Sequence, residues 1–278
     1  LSDVRNHIYL ATKTAATTAE GFWKDLETSL HNLKTDYVDI YQFHNPAVCP
    51  KPGDGSGLYE AMLEAKEQGK IRFIGITNHR MSIAEEAIES GLYDTLQFPF
   101  NYLSTEREIA LAKACAEHEM GFIAMKGLSG GLLTNSAAIY AYMAQFENVL
   151  PIWGVQKESE LDEFLSYIGN PPELTDELKA VIEKDQKELA GEFCRGCGYC
   201  MPCPAGIEIN NCARMSLLLR RSPSAGHLSP EGQAKMKKIE DCLHCGHCKS
   251  MCPYGLDTPK LLEENYKDYK EVLAGKSL

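Results

Sequence analysis

An α/β fold of successive strand–helix units, followed by a smaller, mainly helical domain, is the architecture this sequence predicts. Three observations point to it. Through the first 170 residues, short apolar β-rich runs alternate with amphipathic helical stretches. Gly69 and Gly91 stand where such helices usually stop, at the position that favours a left-handed backbone. Beyond residue 170 the strand signal disappears, and eight of the eleven cysteines gather in two tight groups. The predicted division is therefore 1–170 and 171–278.

The series opens with a strand at His7–Lys13 and a helix near Ala19–Leu33. Strand Tyr37–Phe43 leads to helix Gly57–Gln68, strand Ile71–Thr77 to Ser82–Ser90, and strand Thr95–Pro99 to Thr105–Glu119. Strand Phe122–Lys126 precedes helix Ser136–Phe146, and strand Val149–Trp153 precedes Lys157–Ile168. The strands are near-continuous apolar runs, the pattern of a parallel sheet covered on both faces. Right-handed crossovers roll such a series toward a barrel or a doubly wound sheet. Six units do not close an eight-fold barrel, and an open parallel edge is a liability. Asn170-Pro171-Pro172 then reads as a linker. After it, Thr175 caps a helix running to about Leu189, and Ile209–Arg221 reads as one helix. Ser229 and Pro230 read as N-cap and first residue of a helix to about Glu240, and Lys260–Leu273 as an amphipathic helix.

The cysteine groups carry the sharpest chemistry. Cys242, Cys245, Cys248 and Cys252, followed by Pro253, spell C-x2-C-x2-C-x3-C-P. This is the run that wraps a cubane iron–sulfur cluster in bacterial ferredoxins. Cys194, Cys197, Cys200 and Cys203, followed by Pro204, form a second such run with two residues rather than three before the last cysteine. Three thiolates at this spacing curl around one cluster, while the fourth, ahead of a proline, reaches the neighbouring cluster. The predicted ligand sets are crossed: Cys194, Cys197, Cys200 and Cys252 on one 4Fe–4S cluster, and Cys242, Cys245, Cys248 and Cys203 on the other. Cys212 is a spare candidate for a fourth ligand. Disulfides are disfavoured because each run packs too many thiols into one turn. Two four-cysteine zinc sites compete, but zinc needs only two C-x2-C pairs per site, not a third evenly spaced cysteine and a Cys-Pro. Of the rest, Cys115 reads as a small buried hydrophobe and Cys49 has no assigned role.

Composition narrows the function further. A net charge of −11 gives a nucleic-acid partner no electrostatic support. No apolar run approaches a membrane span, no signal peptide is read at residue 1, and metal-bound thiols point to the cytoplasm. The chain opens on Leu1 and runs almost directly into the apolar Ile8–Ala11, where domains usually begin with a less committed tail. An N-terminal segment ahead of residue 1 is therefore expected.

Polar residues collect at the C-terminal ends of the predicted strands. These are Lys13, His44, Thr77 with Asn78, Gln97, Lys126 with Gly127, Gly130 and Gly131, and Gly154. Singly, each is most often a solvated or locally bonded loop residue. Together they line one rim, where βα-barrels build their chemistry.

The strand ends Ala11-Thr12-Lys13-Thr14, Gln42-Phe43-His44-Asn45-Pro46, Gly75-Ile76-Thr77-Asn78 and Gln97-Phe98-Pro99-Phe100-Asn101-Tyr102 resemble those of the aldo-keto reductases. With the cysteine-rich tail, the chain resembles the bacterial branch of that family that carries a C-terminal ferredoxin-like domain. The resemblance implies a (β/α)8 TIM-type barrel whose six units here are the third to the eighth, with roughly 60–80 residues preceding them by barrel proportions. It implies an NAD(P)-dependent oxidoreductase acting on a small carbonyl or alcohol, with Lys13 and His44 in the active site. The family's Asp and Tyr would lie upstream of residue 1. Thr77, Asn78 and Gln97 would hold the nicotinamide, and Lys126, Gly127, Gly130 and Gly154 would serve the rest of the cofactor. Met125 stands where many members stack a Tyr, and Gln156 where an Arg often meets the 2′-phosphate, so the choice between NAD and NADP stays open. The clusters would exchange electrons with a ferredoxin-type partner. An electron-transfer or scaffold protein with a degenerate barrel is the alternative.

Overall fold

The computed structural model describes every residue except Leu1 and Ala190. The chain forms two compact units. One comprises the residues through Phe100 together with Ser104–Met125 and Phe146–Ile152. The other comprises Asn101–Leu103, Lys126–Gln145 and Trp153–Leu278. The second unit thus takes in stretches that sequence periodicity groups with the strand–helix series.

The first unit holds a parallel sheet of six strands in sequential order: β1 (Ala11–Thr14), β2 (Val38–His44), β3 (Ile71–Thr77), β4 (Thr95–Pro99), β5 (Gly121–Met125) and β6 (Val149–Pro151). β1 and β6 are its two edges, so six βα units give an open sheet. Four helices belong to the same unit: α1 (Ala19–Leu33), α2 (Leu58–Glu67), α3 (Met81–Ser90) and α4 (Glu106–Glu117). Thr18 starts α1 by accepting the Gly21 N–H at 3.2 Å. Thr105 and Glu108 close a capping box on α4. Phe22 and Leu26 of α1 are fully buried, and the Phe22 ring meets Tyr41 of β2 edge-on at 5.5 Å. Both faces of β2 are buried for most of its length, which accounts for its continuous apolar run.

β3 contains Gly75 for a steric reason. A Cβ there would lie 2.5 Å from Thr95 Oγ1 and 2.8 Å from Gln42 Cγ. Only hydrogen fits between β2 and β4 at this level.

The first strand is shorter than its apolar run predicts. It begins at Ala11, and Ser2–His7 is a 3₁₀ helix instead. Arg5 explains the difference. It donates to Ile8 O at 3.1 Å and Tyr37 O at 3.0 Å, and pairs with the buried Asp39 at 3.0 Å. These bonds tie the segment across the entrance to β2 rather than alongside it. Burial pushes the Asp39 carboxyl up, but the Leu10 N–H, Arg72 and Arg5 outweigh it and hold the group below the usual carboxylate range.

The second unit is helical: α5 (Ser136–Met143), α6 (Glu158–Ser166), α7 (Asp176–Glu188), α8 (Ile209–Cys212), α9 (Met215–Arg221), α10 (Ala225–Leu228), α11 (Pro230–Lys237), α12 (His247–Ser250) and α13 (Thr258–Leu273). α5 packs on α7. Arg221 fixes this arrangement, donating to Asp185 Oδ1 at 2.7 Å and to Leu132 O at 2.9 Å. Ser229 and Pro230 start α11 as predicted. The single helix expected over Ile209–Arg221 is in fact two. Asn265 of α13 occupies the break, donating to Ala213 O at 3.1 Å and accepting the Ser216 N–H at 2.8 Å. Its side-chain amide replaces the backbone partners that a continuous helix would have supplied. Among the described residues no helix is long and apolar enough to cross a membrane.

Candidate functional site

Strand register brings the rim residues of the first unit together. Lys13 on β1 lies opposite Gln42 on β2, His44 opposite Thr77 on β3, and Thr77 opposite Gln97 on β4. The Asn45 N–H donates to both Thr77 O (2.8 Å) and Thr77 Oγ1 (3.1 Å), locking these strand ends to one another. Partial burial lowers the Lys13 pKa although the side chain stays open to solvent. Partial burial and then the nearby Lys13 cation pull His44 below the ordinary histidine range. Both shifts favour the uncharged form, which for His44 already prevails at neutral pH.

Thr77, Asn78 and Gln97 are all buried at this rim. The Asn78 amide is already engaged: Nδ2 donates to Pro46 O at 2.9 Å, and Oδ1 accepts the His79 and Arg80 N–H groups, each at 2.9 Å. Its visible work is to hold the turn after β3. Gln97 Nε2 lies 3.6 Å from Met125 Sδ, a weak acceptor. Beside them Gln42 is buried, and its Nε2 has no hydrogen-bond partner among the described residues.

In the second unit Lys126, Ser129, Gly130 and Gly131 all adopt positive φ (62°, 48°, 65° and 90°), which folds the Gly127–Gly131 loop tightly. Asn101 pins its start by donating to Lys126 O at 2.9 Å. Gly154 is exposed with open space where a side chain would stand.

The cysteines of this unit fall into two neighbourhoods. Cys203, Cys242, Cys245 and Cys248 line one pocket, walled by the apolar Ile207, Ile209 and Leu262. The other neighbourhood shows in the electrostatics. Burial raises the Cys194 thiol; the Gly196 N–H, 3.4 Å from its sulfur, lowers it, Cys197 raises it, Arg214 lowers it and Cys252 raises it. Cys200 is pushed up to about 12, first by burial, then by Cys194 and Cys197, with Cys248 last. Thiols crowded in this way ionise together only beside strong positive charge, which bound iron supplies. Among the described residues no three His, Cys, Asp or Glu side chains converge on a point suited to a single metal ion. A cubane carries each thiolate on a different iron, so it needs thiols spread around a cavity, as the second set is.

The spare candidate, Cys212, is a buried thiol 3.9 Å from Lys235 O, pushed up to about 11 by burial and then by Glu208. Cys115 is fully buried in α4 and Cys49 is buried beside Tyr93. Sequence reading missed Arg214, a buried cation between the two loops just described, because nothing in the spacing of an Arg in an apolar stretch marks it. It also missed the pinning role of Asn101, whose place directly after the fourth strand was the available signal.

Comparison with known proteins finds two matching families along the chain. The profile of the Aldo/keto reductase family matches residues 1–149, and that of a 4Fe-4S dicluster domain matches residues 193–257. Methylglyoxal reductase DkgB of Salmonella typhimurium is 34% identical over 149 residues, covering 48% of this chain and 53% of that protein. Aldo-keto reductase YhdN of Bacillus subtilis is 29% identical over 145 residues, covering 47% and 41%. The chain thus spans about half the length of the curated relatives it matches. Among solved structures, an aldo-keto reductase of Bacillus halodurans in its holo form superposes with a TM-score of 0.56 at 21% identity, over 68% of this chain and 75% of that one. At that identity the likeness is one of fold. By the family profile and the fold together, the chain belongs to the aldo/keto reductase family and joins that fold to a 4Fe-4S dicluster domain.

Proposed function

We propose that this chain is an iron–sulfur oxidoreductase that acts on a small carbonyl or alcohol group with NAD(P), in which Lys13 and His44 meet the reacting oxygen. The observation that carries the reading is the register that sets His44, Thr77 and Gln97 side by side on three neighbouring strands of a family member, with Lys13 on the next strand opposite Gln42. His44, neutral at physiological pH, can hydrogen-bond the substrate oxygen without adding charge. The Lys13 ammonium beside it stabilises negative charge growing on that oxygen and lowers the pKa of a donor hydroxyl placed next to it. Thr77 and Gln97 offer buried polar groups to a carboxamide, with Asn78 shaping the turn beneath them. Lys126, Gly127, Gly130 and Gly154 are proposed to hold the rest of the nucleotide. When bound, the nicotinamide supplies hydride transfer and the clusters supply one-electron capacity.

The reading divides the labour at about residue 170. Residues 1–170 serve nucleotide and substrate, and 171–278 hold two 4Fe–4S clusters. Cys194, Cys197, Cys200 and Cys252 hold one, and Cys242, Cys245, Cys248 and Cys203 the other. The cavity shared by Cys203 with the second run supports the crossing. Exposed Cys245 suits electron exchange with a ferredoxin-type partner, in a cytoplasm that keeps thiols reduced. The methylglyoxal reductase among the relatives makes small 2-oxoaldehydes the first substrates to try.

The test is oxidation of NADPH or NADH by anaerobically purified full-length protein with methylglyoxal and other small aldehydes. The proposal expects aldehyde-dependent oxidation that falls on the order of 100-fold or more in Lys13→Met, the range of a lost acid–base contribution. No aldehyde-dependent oxidation with either nucleotide would overturn it.

A further inference from the structure

Arg214 is a buried residue whose guanidinium is wedged against two backbones of the second unit. A Cβ on Gly196 would lie 2.8 Å from its Cζ, and one on Gly130 would lie 2.5 Å from its Nη1. Gly196 sits between Cys194 and Cys197, in the loop that the proposed function assigns to the first cluster. Arg214 Nη1 donates to Gly130 O at 3.2 Å. Its Nε is buried with no hydrogen-bond partner among the described residues. No carboxylate is paired with it among the described ion pairs. Yet arginine stays charged, and a buried cation with an unspent donor is costly unless something negative lies close. The Gly196 backbone it touches lies between Cys194 and Cys197 of the first run.

We propose that Arg214 is a positioning residue that sets the reduction potential of the cluster held by Cys194, Cys197, Cys200 and Cys252. This rests on the cluster assignment made under the proposed function. A cubane with four thiolates is dianionic when oxidised and trianionic after gaining one electron, with no bond made or broken. A fixed cation buried nearby favours the more negative form, so it raises the potential of that couple. It also explains two glycines at once. Gly196 and Gly130 must both lack a Cβ for the guanidinium to fit, and both take positive φ. The second neighbourhood differs in kind. Its cavity is lined by exposed His244 and His247 and includes the exposed Cys245, so water there supplies the screening that Arg214 supplies in the first.

The experiment is an anaerobic redox titration of the full-length protein with dithionite, followed by electron paramagnetic resonance, comparing wild type with Arg214→Met and Arg214→Lys. The expected result is a shift to more negative potential of one cluster in Arg214→Met, the other cluster unmoved and the iron content unchanged. Arg214→Lys should restore most of the shift, because it keeps the charge and changes the packing. Should Arg214→Met fail to take up iron, Gly130→Ala displaces the guanidinium from the other side and should shift the same cluster in the same direction. Full clusters with unaltered potentials in these variants would overturn the proposal, as would an equal shift in Arg214→Met and Arg214→Lys, which would mark a packing effect. A wild-type protein that shows no 4Fe–4S signal would overturn the cluster assignment itself.

Discussion

Lys13 and His44 share a strand-end rim, and the charge of Lys13 acts on His44. His44 is depressed first by partial burial and then by the Lys13 ammonium. For a histidine whose folded pKa lies below its unfolded value, the folded state prefers the neutral form. Its contribution to stability is therefore full above the unfolded value near 6.5 and is lost as pH falls through that value toward the folded one. Lys13→Met should move the His44 titration upward, toward the ordinary histidine value, and soften the acid sensitivity of the fold. Histidine NMR over pH 5–8 reads this directly, and an unmoved His44 would mean that Lys13 does not act on it. Both residues were legible in the sequence because each ends an apolar run. The locked amide of Asn78 was not, since its partners are backbone groups of Pro46, His79 and Arg80 and a turn of that shape leaves no periodic trace. Arg214 was hidden for a similar reason: its environment is made by Gly130 and Gly196, distant in sequence.

Among the elements, α1 follows its sequence pattern from end to end because local signals agree. Thr18 caps it, and Phe22, Leu26 and Leu30 fall on one buried face. β1 departs from its pattern because a tertiary contact overrides it, the Arg5–Asp39 pair that diverts Ser2–His7 into a 3₁₀ helix. The break between α8 and α9 is also tertiary in origin, made by Asn265 from a helix some fifty residues further on. β3 supplies a test of the sheet itself. Gly75→Ala forces a Cβ to within 2.5 Å of Thr95 Oγ1, so it should cost about 1–3 kcal/mol, the usual range for overpacking. Urea denaturation measures this, and a stability equal to wild type would show that β2 and β4 are less closely spaced around β3 than described.

On the scale of the whole molecule, the net charge is −11, and among the described residues no helix is long and apolar enough to cross a membrane. Near-continuous apolar runs between helical stretches made the parallel sheet legible, and the C-x2-C-x2-C spacing made the dicluster domain legible. The composition of the two compact units was not legible. Lys126–Gln145 and Trp153 onward join the cysteine-rich unit through contacts such as Arg221 to Leu132 O, which no local pattern announces. The central claim is that an aldo/keto reductase fold and two cubane clusters are carried on one chain. The measurement that tests it most directly is the iron content and electron paramagnetic resonance spectrum of the anaerobically purified, dithionite-reduced protein. The account predicts iron and sulfide for two 4Fe–4S clusters and a reduced spectrum broadened by the interaction of two nearby spins. Zinc in place of iron, or the signal of a single cluster, would contradict it.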